Sequence, residues 1–248
     1  MSTTSLSTAT SALSPTLADK VAALKTLLAR IATEFPASTL ASSLSIEDMV
    51  VTDAILRDRH GIEIFTLHTG RMHGDTLALV DAISSKYGYA VNVYRPQAEA
   101  VSQYITVHGR DAFYESVDLR KRCCEVRKVL PLERGLEGFE AWITGRKRFH
   151  GGDRLALPVV ESAEGRIKFN PLANWDKAAL DAYMDRHGLP AHPLVEHGYP
   201  SLGCWPCTQP VEKGQDVRAG RWAGSEKTEC GIHVARTPGA VNDLGGDI

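Results

Sequence analysis

Five cysteines fall into three settings: the tandem Cys123-Cys124, the pair Cys204 and Cys207 in GCWPC, and Cys230 in KTECGIH. The C-x-x-C spacing lets two thiolates converge on one metal centre, and the same spacing serves a dithiol redox pair. A redox pair normally opens a helix after a strand, whereas 204–207 lie in a late Gly- and Pro-rich stretch. Neighbouring residues on a helix point about 100° apart. Cys123 and Cys124 therefore reach a single ion awkwardly and a larger inorganic core more readily. Four thiolates held as CC and CxxC fit a cubane 4Fe-4S cluster better than a tetrahedral zinc site, with zinc and unrelated buried thiols as the alternatives. Cys230 has no partner nearby in sequence. Lys227, Arg221 or a charged His233 would raise its thiolate fraction, which favours a nucleophile on a mobile arm over an inert surface thiol.

Other residues could hold an anion. Ser42, Ser43 and Ser45 in ASSLSIED separate a predicted strand from a predicted helix. Hydroxyls, amides and the helix N-terminus can hold a phosphate there, although Ser is also an ordinary N-cap. Thr69-Gly70-Arg71 and Gly145-Arg146-Lys147-Arg148 end two further predicted strands, and Arg218 and Arg221 precede Cys230. Each cationic run alone is usually a solvated face. Together, on one edge of a sheet, they point to a small multiply charged anion such as a nucleotide.

The elements that must position these residues alternate in type. Helical spacing of Leu17, Val21, Leu24, Leu28 and Ile31 predicts an amphipathic helix ending near Pro36. Strands are predicted at 39–44, 62–67, 89–94 and 141–144, and helices at 47–57 and 73–87, with helical spacing throughout 98–132. A Gly-rich turn at Glu164-Gly165, a short strand at 166–169 and a helix at 175–187 follow, and the rest reads as loop. This pattern predicts a doubly wound α/β fold, a mostly parallel sheet with helices on both faces. Its ligand crevice should lie among the loops at 43–48, 67–75 and 145–154. The expected organisation is a disordered tail over 1–16, a nucleotide- and cluster-binding domain over 17–210, and a mobile, loop-rich C-terminal segment over 211–248. Gly220, Gly224 and Gly231 are expected to permit its movement.

Composition is that of an ordinary globular chain: 248 residues, 43% hydrophobic and 23% charged, with a net charge of -2. No bulk basic field calls for nucleic acid, and no apolar run approaches the roughly 18 residues of a membrane span. The Ser- and Thr-rich N-terminus carries no secretory signal, so a reducing, cytoplasmic setting is expected, where cysteines bind metal or do chemistry.

SSLSIED, LHTGR, CCEVRK, TGRKR, KFNPLANW, GYPSLGCWPCT, RAGRW and KTECGIH, in this order, resemble the iron-sulfur assimilatory sulfonucleotide reductases that act on adenosine 5'-phosphosulfate (APS). The combination of CC, CxxC and ECGIH is specific, whereas the TGR and Ser-rich loops alone are weak signals. The resemblance implies an adenine nucleotide alpha hydrolase-like fold in which the Ser-rich loop is a modified pyrophosphate loop. It further implies that Cys123, Cys124, Cys204 and Cys207 ligate the cluster and that Cys230 is the nucleophile, supported by His233. Lys128, Arg154, Arg218 and Arg221, with Ser43, Ser45, Thr69, Gly70, Arg71 and Gly145, would bind substrate. Thioredoxin or glutaredoxin would be the reductant, and the chain could form homo-oligomers. The sequence departs from the family where Asp commonly precedes TGR (His68), where the Ser loop has Gly (Ile46), and at Phe149 to Gly152. Rival readings are a reductase of 3'-phosphoadenosine 5'-phosphosulfate (PAPS) or of both nucleotides, a pyrophosphate-loop tRNA thiolation enzyme, and a zinc-stabilised nucleotide-binding module.

Overall fold

A computed structural model describes residues 15–151, 154–163 and 165–221. Six strands form one sheet in the order β3-β2-β1-β4-β6-β5. They are β1 (Ser38–Ser42), β2 (Glu63–Leu67), β3 (Asn92–Tyr94), β4 (Ala141–Ile143), β5 (Val160–Ala163) and β6 (Arg166–Phe169). All neighbours pair in parallel except β5, which returns antiparallel to β6 at the edge. Parallel strands need crossover helices, and α1 (Leu17–Glu34), α2 (Ile46–Arg57), α3 (Gly74–Tyr87), α4 (Ala98–His108), α5 (Val117–Cys124), α6 (Leu130–Gly135) and α7 (Lys177–His187) supply the helical layers.

One face of the sheet is covered by Leu24, Leu28 and Ile31 of α1, Val50, Val51 and Ile55 of α2, Leu79 and Ile83 of α3, and Leu180 and Tyr183 of α7. The other packs Phe65 and Trp142 against Leu132 and Leu136. β1 is central and its residues are almost all buried, as expected for a strand covered on both faces. α1 starts on a capping box in which the Thr16 side chain accepts from the Asp19 amide and the Asp19 carboxylate accepts from Thr16.

The chain runs outward from β1 to β2 and β3, then crosses back to β4 on the other side of β1. This reversal opens a crevice beyond the carboxyl ends of β1 and β4, where doubly wound sheets bind ligands. The doubly wound architecture therefore agrees with the sequence reading, and two details differ. β5 was not anticipated. The helical stretch at 98–132 is interrupted at 109–116, and a π-helical turn, Glu125–Val129, follows α5.

Among the described residues, no helix is long and apolar enough to cross a membrane.

Candidate functional site

The turn from β1 into α2 is bent by Leu44, whose φ of 61° is left-handed for a residue with a branched side chain. Burial of that side chain offsets the strain. Neither flanking serine caps the helix. Ser43 donates from its amide and its hydroxyl to Asp48 Oδ2, both at 2.6 Å, and the Ser45 side chain makes no capping bond. The other Asp48 oxygen accepts from the Gly145 amide at 2.8 Å. One buried carboxylate thus ties the β1 turn to the β4 turn across the switch point. Burial pushes Asp48 up to about 6, against the Ser43 and Gly145 bonds that pull it down. A Cβ on Gly145 would lie 2.4 Å from Asp48 Oδ1, so this approach requires glycine.

The basic run after β4 is partnered rather than left bare, two of its three cations by carboxylates. Arg146 meets Glu161 at 2.8 Å, and Lys147 meets Glu47 at 2.7 Å. Arg148 donates to the Leu157 carbonyl and to Asn174. Burial alone would raise the Glu47 carboxyl, but the His150 hydrogen bond and the Lys147 charge outweigh it and hold Glu47 well below the usual range. Arg154, buried beside this turn, donates to His150 Nδ1 at 3.0 Å.

The turn after β2 leads to the cysteines. His68 Nδ1 accepts from the Gly70 amide at 3.0 Å, so an imidazole does the turn-closing work of a carboxylate. The Thr69 carbonyl accepts from Arg127 at 2.9 Å, while its hydroxyl accepts from the Arg71 amide and from Cys204 Sγ, each at 3.2 Å. The Arg71 carbonyl accepts from the Trp205 amide at 2.7 Å, which docks the GCWPC loop on this turn.

Cys123, Cys124, Cys204 and Cys207 then line one cavity, closed by Phe113 and Pro206 and ringed by Arg71, Arg120, Arg127 and Lys128. Burial pushes the Cys123 and Cys207 thiols up, with Arg127 acting against this at Cys123. The π turn starts directly after Cys124 and carries Arg127 and Lys128, so both cations stay beside the thiols. The donor set fits a thiolate-ligated cluster: four soft ligands around one space, with cations to offset their charge. Among the described residues no three Cys, His, Asp or Glu side chains converge as for a single ion.

The predicted residues thus fall into two adjoining groups. Ser43, Ser45, Gly145 and Arg154 border the switch point, and the four cysteines line the cavity with Arg71 and Lys128. Thr69 and Gly70 stand between the groups. Arg71 is also paired with Asp111 at 3.0 Å and lies 4.7 Å from the Phe113 ring centroid. Arg221 donates to Ser201 and Leu202 and packs on Gly203, while the Arg218 amide donates to Asp216. Gly220 is not a free hinge: its carbonyl accepts from the Gln209 amide, and a Cβ there would lie 2.0 Å from the Gln209 carbonyl oxygen. Cys230, His233, Gly224 and Gly231 lie outside the described residues. Sequence reasoning missed Glu47, Asp48, Arg120, Arg127 and His150. Only Arg127 carried a signal, four residues beyond Cys123 on the same helical surface.

Residues 37–210 match the phosphoadenosine phosphosulfate reductase domain. The chain is 46% identical over 234 residues to an adenosine 5'-phosphosulfate reductase of Burkholderia cepacia, covering 92% of this chain and 94% of that protein. It is 43% identical over 222 residues to one from Allochromatium vinosum, covering 88% and 87%. Among solved structures it resembles phosphoadenylyl-sulfate (PAPS) reductase from Candida auris in a phosphate complex, with a TM-score of 0.62 at 26% identity, covering 81% of this chain and 100% of that one. FMN adenylyltransferase of Candida glabrata, at 14% identity and a TM-score of 0.53 over 89% of this chain and 79% of that one, shares the fold alone. The fold is accordingly adenine nucleotide alpha hydrolase-like.

Proposed function

The chain belongs to the phosphoadenosine phosphosulfate reductase family, and we propose that it reduces APS to sulfite and AMP with a protein dithiol, thioredoxin or glutaredoxin, as electron donor. The observation that carries this reading is the junction at Thr69, where the nucleotide crevice of the sheet adjoins a cavity of four thiols and four cations. Identity of 42% or more to relatives bearing the APS reductase name supports APS over PAPS.

In this reading the Cys230 thiolate attacks the sulfuryl sulfur. The bond from that sulfur to the bridging oxygen breaks, AMP leaves with the electron pair, and Cys230 becomes S-sulfocysteine. A thiolate of the reductant then attacks Cys230 Sγ and expels sulfite. The second thiol resolves the mixed disulfide and returns the Cys230 thiolate, so the dithiol is oxidised by the two electrons the sulfur gains. Lys128, Arg154, Arg218 and Arg221 would hold the phosphosulfate and offset charge on the departing phosphate, where preorganised donors lower the barrier most. Ser43, Ser45, Gly70 and Gly145 would present amides and hydroxyls to the anion.

Cys123, Cys124, Cys204 and Cys207 would ligate a 4Fe-4S cluster, which when bound would supply fixed charge beside Lys128 and a covalent tie between the α5 and 204–207 segments. The test is sulfite release from APS and from PAPS, with reduced thioredoxin, by anaerobically purified protein assayed for iron and acid-labile sulfide. Sulfite from APS in preference to PAPS, with equal iron and sulfide, is expected. No release from either nucleotide, or zinc in place of iron, would overturn the reading.

A further inference from the structure

Beside the β4 turn stands a group of largely buried charged side chains, of which the proposed chemistry uses Arg154 alone. His150 bridges two of them: its Nε2 lies 3.2 Å from Glu47 Oε1, and its Nδ1 lies 3.0 Å from an Arg154 guanidinium nitrogen. These partners leave the ring one tautomer. Glu47 is ionised and can only accept, so Nε2 carries the proton. Arg154 can only donate, so Nδ1 must be a bare lone pair. The imidazole is then neutral, and a second proton would set an Nδ1–H against the Arg154 N–H.

We propose that His150 is a positioning residue: as a neutral, Nε2-protonated tie it transmits the place of Glu47, on the first turn of α2, to Arg154, and it limits substrate binding on the acid side. This rests on the reading that Arg154 holds the substrate anion. The groups facing His150 are Glu47 from α2, Lys147 from its own turn and Arg154 from the next. Asp216 stands beside the neighbouring Gly151, where a Cβ would lie 3.5 Å from its Oδ2. Burial pushes the imidazole below its ordinary value and the Lys147 and Arg154 charges push the same way, against Glu47, which keeps the ring neutral at physiological pH.

The consequence is directional. As pH falls through the depressed imidazole range, the ring gains its second proton, the Arg154 bond is lost, and KM for APS rises in wild type relative to His150→Gln, while kcat stays alike in the two proteins. Asp48, pushed up to about 6, titrates nearby but bonds to the Ser43 turn and Gly145 rather than to His150. A substitution at His150 therefore separates the two.

The test is kcat and KM for APS from about pH 8 to about pH 5 with the full chain as wild type, His150→Ala and His150→Gln. His150→Ala should raise KM about tenfold at neutral pH, the loss of roughly one charge-assisted hydrogen bond. Glutamine can accept from Arg154 and donate to Glu47 without titrating. His150→Gln should therefore bring KM back to within about threefold of wild type, by partial recovery of that bond, and should flatten the acid-side rise. An alanine variant with unchanged KM, or a glutamine variant with the full acid-side rise, would overturn the role of His150 alone. A wild type that releases no sulfite from APS would sink the reaction reading and this inference together.

Discussion

Asp53, on the core side of α2, offers the sharpest test of how the helical layer of α2, α3 and α7 is held. Its side chain is fully buried and accepts from Arg57 at 2.7 Å, from the Tyr87 hydroxyl of α3 at 2.5 Å and from the Tyr183 hydroxyl of α7 at 2.8 Å. Burial raises both tyrosine pKa values, and the Asp53 charge adds to the effect, so both remain hydroxyl donors. Asp53→Ala would leave the Arg57 charge and two hydroxyls without their acceptor. Breaking such a buried set costs roughly 3–5 kcal/mol, at the lower end here because Arg57 is 35% exposed and can hydrate. For a chain of 248 residues, at about 2–4 °C per kcal/mol, the melting temperature should fall by about 10 °C. Asp53→Asn keeps one acceptor oxygen, and a tyrosine hydroxyl can turn to accept from its amide, so its loss should be about half as large. The residue lies about 12 Å along the helix from Ser45. KM for APS, measured well below the melt, should therefore stay near the wild-type value. Circular dichroism melts of the three proteins decide the matter. An alanine variant melting within a degree of wild type would refute the reasoning.

Three further outcomes are expected. Gly145→Ala drives a methyl into Asp48 Oδ1 and should uncouple the β1 and β4 turns, raising KM for APS roughly tenfold or more; steady-state kinetics reads this directly. Thr69→Val keeps the shape but removes the hydroxyl that lies 3.2 Å from Cys204 Sγ and accepts from the Arg71 amide, and anaerobic iron analysis should show reduced iron retention, with a stability loss of about 1 kcal/mol. The raised pKa of Asp48 means that its contribution to stability is present below the unfolded value of 3.8 and is lost as pH rises through about 6. Between pH 7 and pH 5 denaturant titrations should show wild type gaining about 1 kcal/mol over Asp48→Asn.

Much of the frame was legible in the sequence because buried parallel strands carry short apolar runs between periodic helices. β1, β2 and β4 are of this kind. β5 escaped because Val160 to Ala163 is a short, half-exposed edge strand with little alternation to mark it. The segment at 98–132 looked uniformly helical because periodicity does not register a break at Gly109, nor the extra residue per turn after Cys124. The cysteines were legible as a set because their types and spacings are chemically restrictive.

The charge partners were not legible. Lys147 finds Glu47 from a hundred positions away, and only the switch between β1 and β4 brings them together. For the same reason Arg146 and Lys147, read as part of an anion-binding set, are ion-paired with Glu161 and Glu47, while Arg148 donates to the Leu157 carbonyl and Asn174. Gly220, expected as a hinge, is a close-approach glycine whose role depends on the backbone at Gln209.

In the proposed reaction the sulfurs divide: the four lining the cavity would be ligands, and Cys230 would accept the sulfuryl group. Anaerobic incubation with APS in the absence of any reductant, followed by proteolysis and mass spectrometry of every cysteine peptide, tests that division directly. One added SO3 group on the Cys230 peptide, and none on the peptides of Cys123, Cys124, Cys204 and Cys207, is the predicted result. The adduct on any of those four, or AMP released with no adduct on the protein, would contradict it.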